Sequence, residues 1–339
     1  MNRPVQQEDF DRCLDWPAIR VMCCASPSAL RRVLSLVASL SHRIAAIVAF
    51  ATLLLFNSCV TIPEDLVDDS IRPDLPAEAS FNEAAGCGDL LYLTLRLDSG
   101  KELLFALDTG APVTLLDKSL EPQLGKRLGA AVVSFPVFGP KKGHVYAAPR
   151  LYLGNTQLLT GSWVVTDDLA RIRFPNREAR GILGMDCLRH YCLQLDFPAR
   201  KIRFLDPDLA ARTPLGKAFP LTFSSGLVTV FVGENLLGIK DINSAIDTGD
   251  NVDGGLDSKL FLSALQDQRG VRTNHFNNPA GTASPEAYFP EVVFGGESYG
   301  DVRLWENFGG NTIGLRFLAR HLVTFNFPKR TMYLRRSRS

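Results

Sequence analysis

From residue 90 onward, apolar residues recur in short runs rather than at the three-and-four spacing of an amphipathic helix. In the first half these runs are 90–97, 102–107, 150–153, 162–166, 193–197 and 201–205. In the second they are 227–232, 239–246, 291–294, 322–327 and 331–334. Each is rich in leucine, β-branched or aromatic residues and is punctuated by Gly, Pro, Asn or Asp, which predicts strands. Helical spacing never persists beyond about three turns, and it predicts short helices only at 186–191 and 257–268. The pattern therefore predicts an all-β body.

The runs come twice, in the same order. Ala106-Leu107-Asp108-Thr109-Gly110 is matched by Ala245-Ile246-Asp247-Thr248-Gly249. Pro149-Arg150-Leu151-Tyr152-Leu153-Gly154 is matched by Pro290-Glu291-Val292-Val293-Phe294-Gly295. Residues 184–205 align with 314–334, so that Leu195-Asp196-Phe197-Pro198 falls on Phe325-Asn326-Phe327-Pro328. Three ordered anchors point to a duplicated unit and hence to two similar lobes, here taken as 89–206 and 207–339.

Ahead of them, residues 1–58 read as an N-terminal extension and export signal. Arg31, Arg32 and Arg43 precede an apolar run at 44–56, which is shorter than the roughly 20 residues a helix needs to cross a bilayer. The run ends in Leu55-Phe56-Asn57-Ser58-Cys59, which resembles the cleavage and lipidation site of bacterial lipoproteins. That resemblance implies a lipid on Cys59 and a place on the bacterial cell envelope. Simple cleavage and an uncleaved anchor are the alternatives. Acidic residues and prolines at 59–88 predict a solvated tether.

Charge narrows the function. Lys and Arg total 37 against 36 Asp and Glu, so no long-range field favours nucleic acid. Beyond the leader and Cys59, three cysteines remain: Cys87, Cys187 and Cys192. The repeat sets Cys187 against Phe317 and Cys192 against Leu322, which reads both as core residues, with a bridge between them as the alternative. The histidines lack ligand-like spacing, and no metal or cofactor is expected. No Gly-x-Ser-x-Gly elbow is present, and Phe308-Gly309-Gly310-Asn311 lacks the continuation of a phosphate loop.

An isolated Asp-Thr-Gly after a strand is ordinarily a turn. Two of them at matched places in duplicated lobes are different, because a pseudo-twofold axis would set Asp108 and Asp247 face to face. With Asp108-Thr109-Gly110-Ala111 and Asp247-Thr248-Gly249, the chain resembles the retropepsin-like and pepsin-like aspartic peptidases over about 89–334. Ile182-Leu183-Gly184 and Thr312-Ile313-Gly314 fit that family's segments beneath the catalytic loops. The resemblance implies a two-lobed acid-protease fold with barrel-like lobes and a cleft between them. It also implies an aspartic endopeptidase acting on peptide or protein, with Asp108 and Asp247 catalytic. Thr109 and Thr248 would lock the lobes, and Gly110 and Gly249 would admit backbone N–H groups. With both lobes in one chain, a monomer suffices.

The same resemblance puts a substrate-covering flap near Val137 to Tyr146, with Gly139, Pro140 and Gly143 at its tip and Tyr146 toward substrate, an ordinary strand tyrosine being the alternative. A second cover is expected near 277–288. One departure stands out: Asp250 occupies a position where pepsin-like lobes carry Ser or Thr. It is expected to stay protonated or to raise the pKa of the pair. It also keeps open a rival reading, an inactive homologue that binds peptides at the envelope.

Overall fold

The computed structural model describes residues 74–135, 139–171, 176, 178–224, 229–277 and 283–337. Cys59 and the leader lie outside the described residues. In chain order, the first-half strands are β1 (Ala79–Ser80), β2 (Tyr92–Leu97), β3 (Glu102–Leu107), β4 (Leu115–Asp117), β5 (Gly129–Phe135) and β6 (Gly139–Ala147). They continue as β7 (Leu151–Leu153), β8 (Thr156–Gln157), β9 (Trp163–Asp167), β10 (Ala179–Leu183), β11 (Cys192–Asp196) and β12 (Lys201–Leu205). The second-half strands are β13 (Lys217–Phe223), β14 (Val230–Glu234), β15 (Lys240–Asp247), β16 (Gly254–Leu256) and β17 (Val271–Asn277). After them come β18 (Ala283–Phe294), β19 (Glu297–Glu306), β20 (Asn311–Gly314), β21 (His321–Asn326) and β22 (Thr331–Arg336). Helices are short: α1 (Met185–Leu188), α2 (Pro207–Ala210), α3 (Ser258–Gln266) and α4 (Leu315–Leu318). None among the described residues is long and apolar enough to cross a membrane.

The protein is all-β and two-lobed. A nine-stranded sheet ordered β5-β6-β9-β4-β10-β3-β2-β7-β8 builds the first lobe. A thirteen-stranded sheet runs from β1, β12 and β11 of the first half through β21 and β22 into the second lobe. The seam is the antiparallel pair β11–β21, in which Gln194 faces Thr324 and the two side chains are 3.1 Å apart. Leu193, Leu195, Val323 and Phe325, all fully buried on these two strands, root both lobes in one core. That apolar area, removed from water at about 25 cal/mol per Å², is the main force joining the halves.

The repeat is visible as matched pairing. In the first lobe β10 runs parallel to β3 and antiparallel to β4; in the second, β20 runs parallel to β15 and antiparallel to β16. Leu115 pairs with Val165 on β9, and the matched Gly254 pairs with Leu304 on β19. Each inserted strand is pinned from both sides, which fixes its register beneath the loop that follows β3 or β15.

Two expectations need correction. Residues 79–88 are not a solvated tether: β1 pairs with β12, Phe81 and Ala85 are buried, and the rings of Phe81 and Phe197 meet edge-on at 5.6 Å. The cause is the apolar content of this stretch, which outweighs its acidic flank once it reaches the sheet edge. The Gly139-Pro140-Lys141-Lys142-Gly143 run is not a turn. It is strand β6, paired from Gly139 with Phe135 to Gly143 with Ala131; Val137 and Phe138 of the expected flap lie outside the described residues. Ladder pairing along β5 decides this over the turn preference of Gly and Pro. Cys187 and Cys192 are free and buried, as core residues would be, and Cys87 is free and exposed.

Candidate active site

Strands β3 and β15 end at Asp108 and Asp247, and each carboxylate is folded back by its own loop. The N–H groups of Gly110 and Ala111 donate to Asp108 Oδ1 at 2.8 and 3.0 Å. Gly249 N–H donates to Asp247 Oδ1 at 2.9 Å. The glycines allow the two loops to approach. A methyl on Gly110 would lie 2.6 Å from Asp247 Oδ1, and one on Gly249 would lie 2.5 Å from Asp108 Cγ and Oδ2. Each loop thus presses its glycine against the opposite aspartate, and the two carboxyl groups share a hydrogen bond.

The threonines between them are fully buried and reciprocal. Thr109 N–H donates to Thr248 Oγ1 at 3.0 Å, and Thr248 N–H donates to Thr109 Oγ1 at 3.1 Å. Their hydroxyls then donate across the interface, Thr109 to the carbonyl of Ile246 at 2.7 Å and Thr248 to that of Leu107 at 2.8 Å. Four bonds in so small a volume leave neither loop free to shift without orphaning buried donors.

Support comes from below. Asp108 N–H donates to the Leu183 carbonyl at 3.0 Å. Met185 N–H donates to the Ala111 carbonyl at 2.8 Å, mirrored by Leu315 N–H to the Asp250 carbonyl at 2.7 Å. Gly184 and Gly314 are the crossing points: a methyl there would meet the Val113 carbonyl at 2.5 Å or the Val252 oxygen at 2.2 Å.

Electrostatics distinguish the two aspartates. Burial pushes both carboxyls above the ordinary range. For Asp108 this is countered by the N–H groups of Gly110, Ala111 and Gly249 and by the hydrogen bond from Asp247. For Asp247 it is reinforced by the charges of Asp108 and Asp250, and its pKa is driven well up. The two carboxyls therefore titrate as a pair that holds one proton between them over a range of pH.

Asp250 is the third carboxyl of the site. Burial pushes it up to about 6, against hydrogen bonds from Trp305, Val252 N–H and Thr312. Trp305 Nε1 lies 3.3 Å from Asp250 Oδ2. Sequence reading singled out Asp250 but missed Trp305, although the matched pairings of β9 and β19 place it one residue beyond Leu304. Among the described residues, no group of His, Cys, Asp and Glu is arranged to hold a metal ion.

Of the expected flap residues, Gly139, Pro140 and Gly143 lie on β6 of the β5–β6 hairpin. Tyr146 is the ordinary strand tyrosine of the two readings and not a substrate-facing one: it is buried in the main core beside Glu121, because it alternates inward at the base of β6. Next to it, His144 Nδ1 lies 2.9 Å from Glu121 Oε1, which also accepts from the Thr166 hydroxyl at 2.6 Å. The second-lobe segment expected to form another cover is a hairpin as well, β17 on β18, and β18 pairs Ala287 with Leu304 just as β6 pairs Val145 with Val165.

No family model and no curated protein matches this chain. Among solved structures it is similar to the crystal structure of Basic 7S globulin from soybean. The two are 13% identical, with a TM-score of 0.47 over 78% of this chain and 95% of that one.

Proposed function

We propose that this protein is an aspartic endopeptidase. The observation that carries the reading is the interlocked pair, Asp108 and Asp247, brought into hydrogen-bond contact by reciprocal Thr109–Thr248 bonds from two lobes. Water held between the carboxyls loses a proton to ionised Asp108 as its oxygen attacks the peptide carbonyl. Protonated Asp247 donates to the developing oxyanion, and the proton gained by Asp108 passes to the leaving amine as the C–N bond breaks. An extended peptide suits a groove flanked by one strand hairpin from each lobe. The aspartates are partly open to solvent, while Thr109 and Thr248 beside them are fully buried.

The test incubates the full chain with a diverse peptide pool across pH 3 to 8. Cleavage that disappears in Asp108→Asn and is blocked by a statine-type inhibitor supports the reading. An inert protein that binds peptides supports the second reading, a non-catalytic peptide-binding homologue, which is favoured by one observation only, the third carboxyl at Asp250. Export and lipid attachment through Cys59 are proposed on the leader sequence alone. Detection of a lipid-modified Cys59 by mass spectrometry in a bacterial host tests that part.

A further inference from the structure

Two pairing registers show where the first-lobe hairpin leaves the body of its sheet. Strand β6 pairs with β5 from Gly139 to Val145, but with β9 only from His144 to Ala147. Among the described residues, 139–143 and 131–135 therefore form a ribbon of two strands that pair with each other alone. Such a ribbon has little stability or fixed direction of its own, so its angle to the lobe is decided at its base.

His144 is that base, and a polar cluster closes on it. Glu121 lies on the short helical turn Lys118–Gln123, directly after β4, the strand that leaves the Asp108 loop. On one oxygen, Oε1, it takes the Thr166 hydroxyl of β9 at 2.6 Å and His144 Nδ1 at 2.9 Å. An ionised carboxylate only accepts, so Nδ1 carries the proton of that bond. The Tyr146 hydroxyl reaches the same carboxyl. Three side chains from two strands thus converge on one acid supplied by a third element. Burial pushes that carboxyl up, but the bonds from Thr166 and His144 outweigh it and hold Glu121 below the ordinary range. The acceptor is therefore a charged one, with the stronger bonds that charge brings.

The second lobe supplies the comparison. Its hairpin leaves the sheet at the matched residue, Glu286, the first of β18 to pair with β19. Asp257 caps α3 as Asp117 caps the turn in the first lobe, yet the fourth residue after it is the buried Phe261, where the first lobe has Glu121. Glu286 Oε1 accepts no hydrogen bond among the described residues and lies 3.6 Å from Arg303 Nη1. A hairpin of this kind can thus be rooted without the cluster. What the cluster adds is direction, which hydrogen bonds impose and hydrocarbon does not.

We propose that Glu121 is a positioning residue of the active site, a latch that through His144 and Thr166 holds the first-lobe hairpin at the angle that covers bound peptide. This rests on reading the cleft as that of a peptidase. A latched hairpin is already arranged for binding. An unlatched one visits that arrangement for a fraction of the time, and apparent affinity falls by that fraction while the chemistry of the bound complex is unchanged.

In the full chain, Glu121→Ala should raise KM about tenfold, the scale of one hydrogen bond to a charged group, with kcat within about twofold of native. Glu121→Gln should stay near native, since its amide oxygen still accepts from both partners. The effects of Glu121→Ala and His144→Ala should not add, because both break the same bond. A native KM in Glu121→Ala, or a fall in kcat at unchanged KM, overturns the proposal. Hydrogen exchange read by mass spectrometry decides it without catalysis: amides of 139–147 should exchange about tenfold faster in Glu121→Ala, with those of β3 and β10 unchanged. Where Glu121→Ala does not fold, His144→Ala carries the same test, its side chain being 39% exposed. Unchanged exchange at the hairpin overturns the proposal even in a protein that cleaves peptides. Faster exchange in a protein that cleaves nothing, or whose Asp108→Asn variant loses no cleavage, upholds the latch and sinks the peptidase reading alone.

Discussion

Gly110 shows how much of this site depends on a missing atom. Its backbone carries no left-handed torsion that would demand glycine. What excludes a side chain is Asp247, whose Oδ1, Cγ and Oδ2 would lie 2.6, 2.7 and 2.9 Å from a methyl. Gly110→Ala should therefore separate the carboxyls while each lobe still folds. The expected outcome is a loss of kcat/KM of about 100-fold or more, the scale of a 1 Å misplacement of reacting groups. Far-ultraviolet circular dichroism should be unchanged, and activity within a few fold of native would show that the loops do not approach as described. The Asp-Thr-Gly pair was legible in sequence because duplication turns a common turn motif into a rare coincidence. Trp305 was not legible: nothing about a lone tryptophan before Glu306-Asn307 reveals that strand pairing will aim its N–H at Asp250.

Among elements, the inserted strands β10 and β20 run beneath the catalytic loops that follow β3 and β15, and the glycines where they end set the clearance. Gly314 would place a methyl 2.2 Å from the Val252 oxygen and 3.0 Å from that of Asp250. Both obstacles are backbone, held by Leu315 N–H at 2.7 Å and Arg316 N–H at 3.2 Å, so neither can turn aside like a flexible side chain. Gly314→Ala should cost about 3 kcal/mol, the upper part of the range for overpacking, read as a lowered denaturant midpoint at constant m. A midpoint within error of native would mean that the Val252 backbone yields at the crossing. Ile182-Leu183-Gly184 and Thr312-Ile313-Gly314 were expected from the family resemblance, whereas β11 and β21 were legible as apolar runs and matched by the repeat. Strands β1, β4, β5, β8, β13, β16, β17 and β19 were not found. In β19 the buried Tyr299, Val302 and Leu304 are interrupted by Gly300, Asp301 and Arg303, and Asp301 adopts a left-handed torsion of 57°. That irregularity breaks the period-two signal by which strands are recognised. The hairpin strands fail for another reason: β5 and β6 are held by backbone pairing, to which Pro140 can offer only its carbonyl, and the glycines and lysines of β6 show no apolar alternation.

For the molecule as a whole, the buried acids make stability depend on pH in an unusual direction. Asp186 is buried at 7% exposure, accepts from the Thr114 hydroxyl at 2.8 Å, and is pushed by burial up to about 6. Asp250 is likewise raised to about 6, and burial raises Asp108 and Asp247 as well. A carboxyl raised above its unfolded value stabilises the fold fully below about pH 4 and loses that contribution as pH climbs through the folded value. For Asp186 a rise from 3.8 to about 6 corresponds to about 3 kcal/mol. His321 opposes this. Burial lowers it to about 4, so its contribution is present above about 6.5 and is lost as pH falls toward the folded value. Between pH 7 and pH 5 the raised acids Asp108, Asp186, Asp247 and Asp250 take up protons on folding while one histidine releases one, so the native state binds more protons than the unfolded chain. Unfolding free energy should rise as pH falls across that interval. Further acidification reverses the gain, because carboxyls such as Glu78, held low by Lys201, begin to lose their partners. Thermal midpoints at pH 7, 6 and 5 test the sign. Asp186→Asn should flatten the profile and His321→Gln should steepen it. A native midpoint that falls from pH 7 to pH 5 would mean that the histidine outweighs the acids, and that Asp247 and Asp250 are better solvated than their loops suggest.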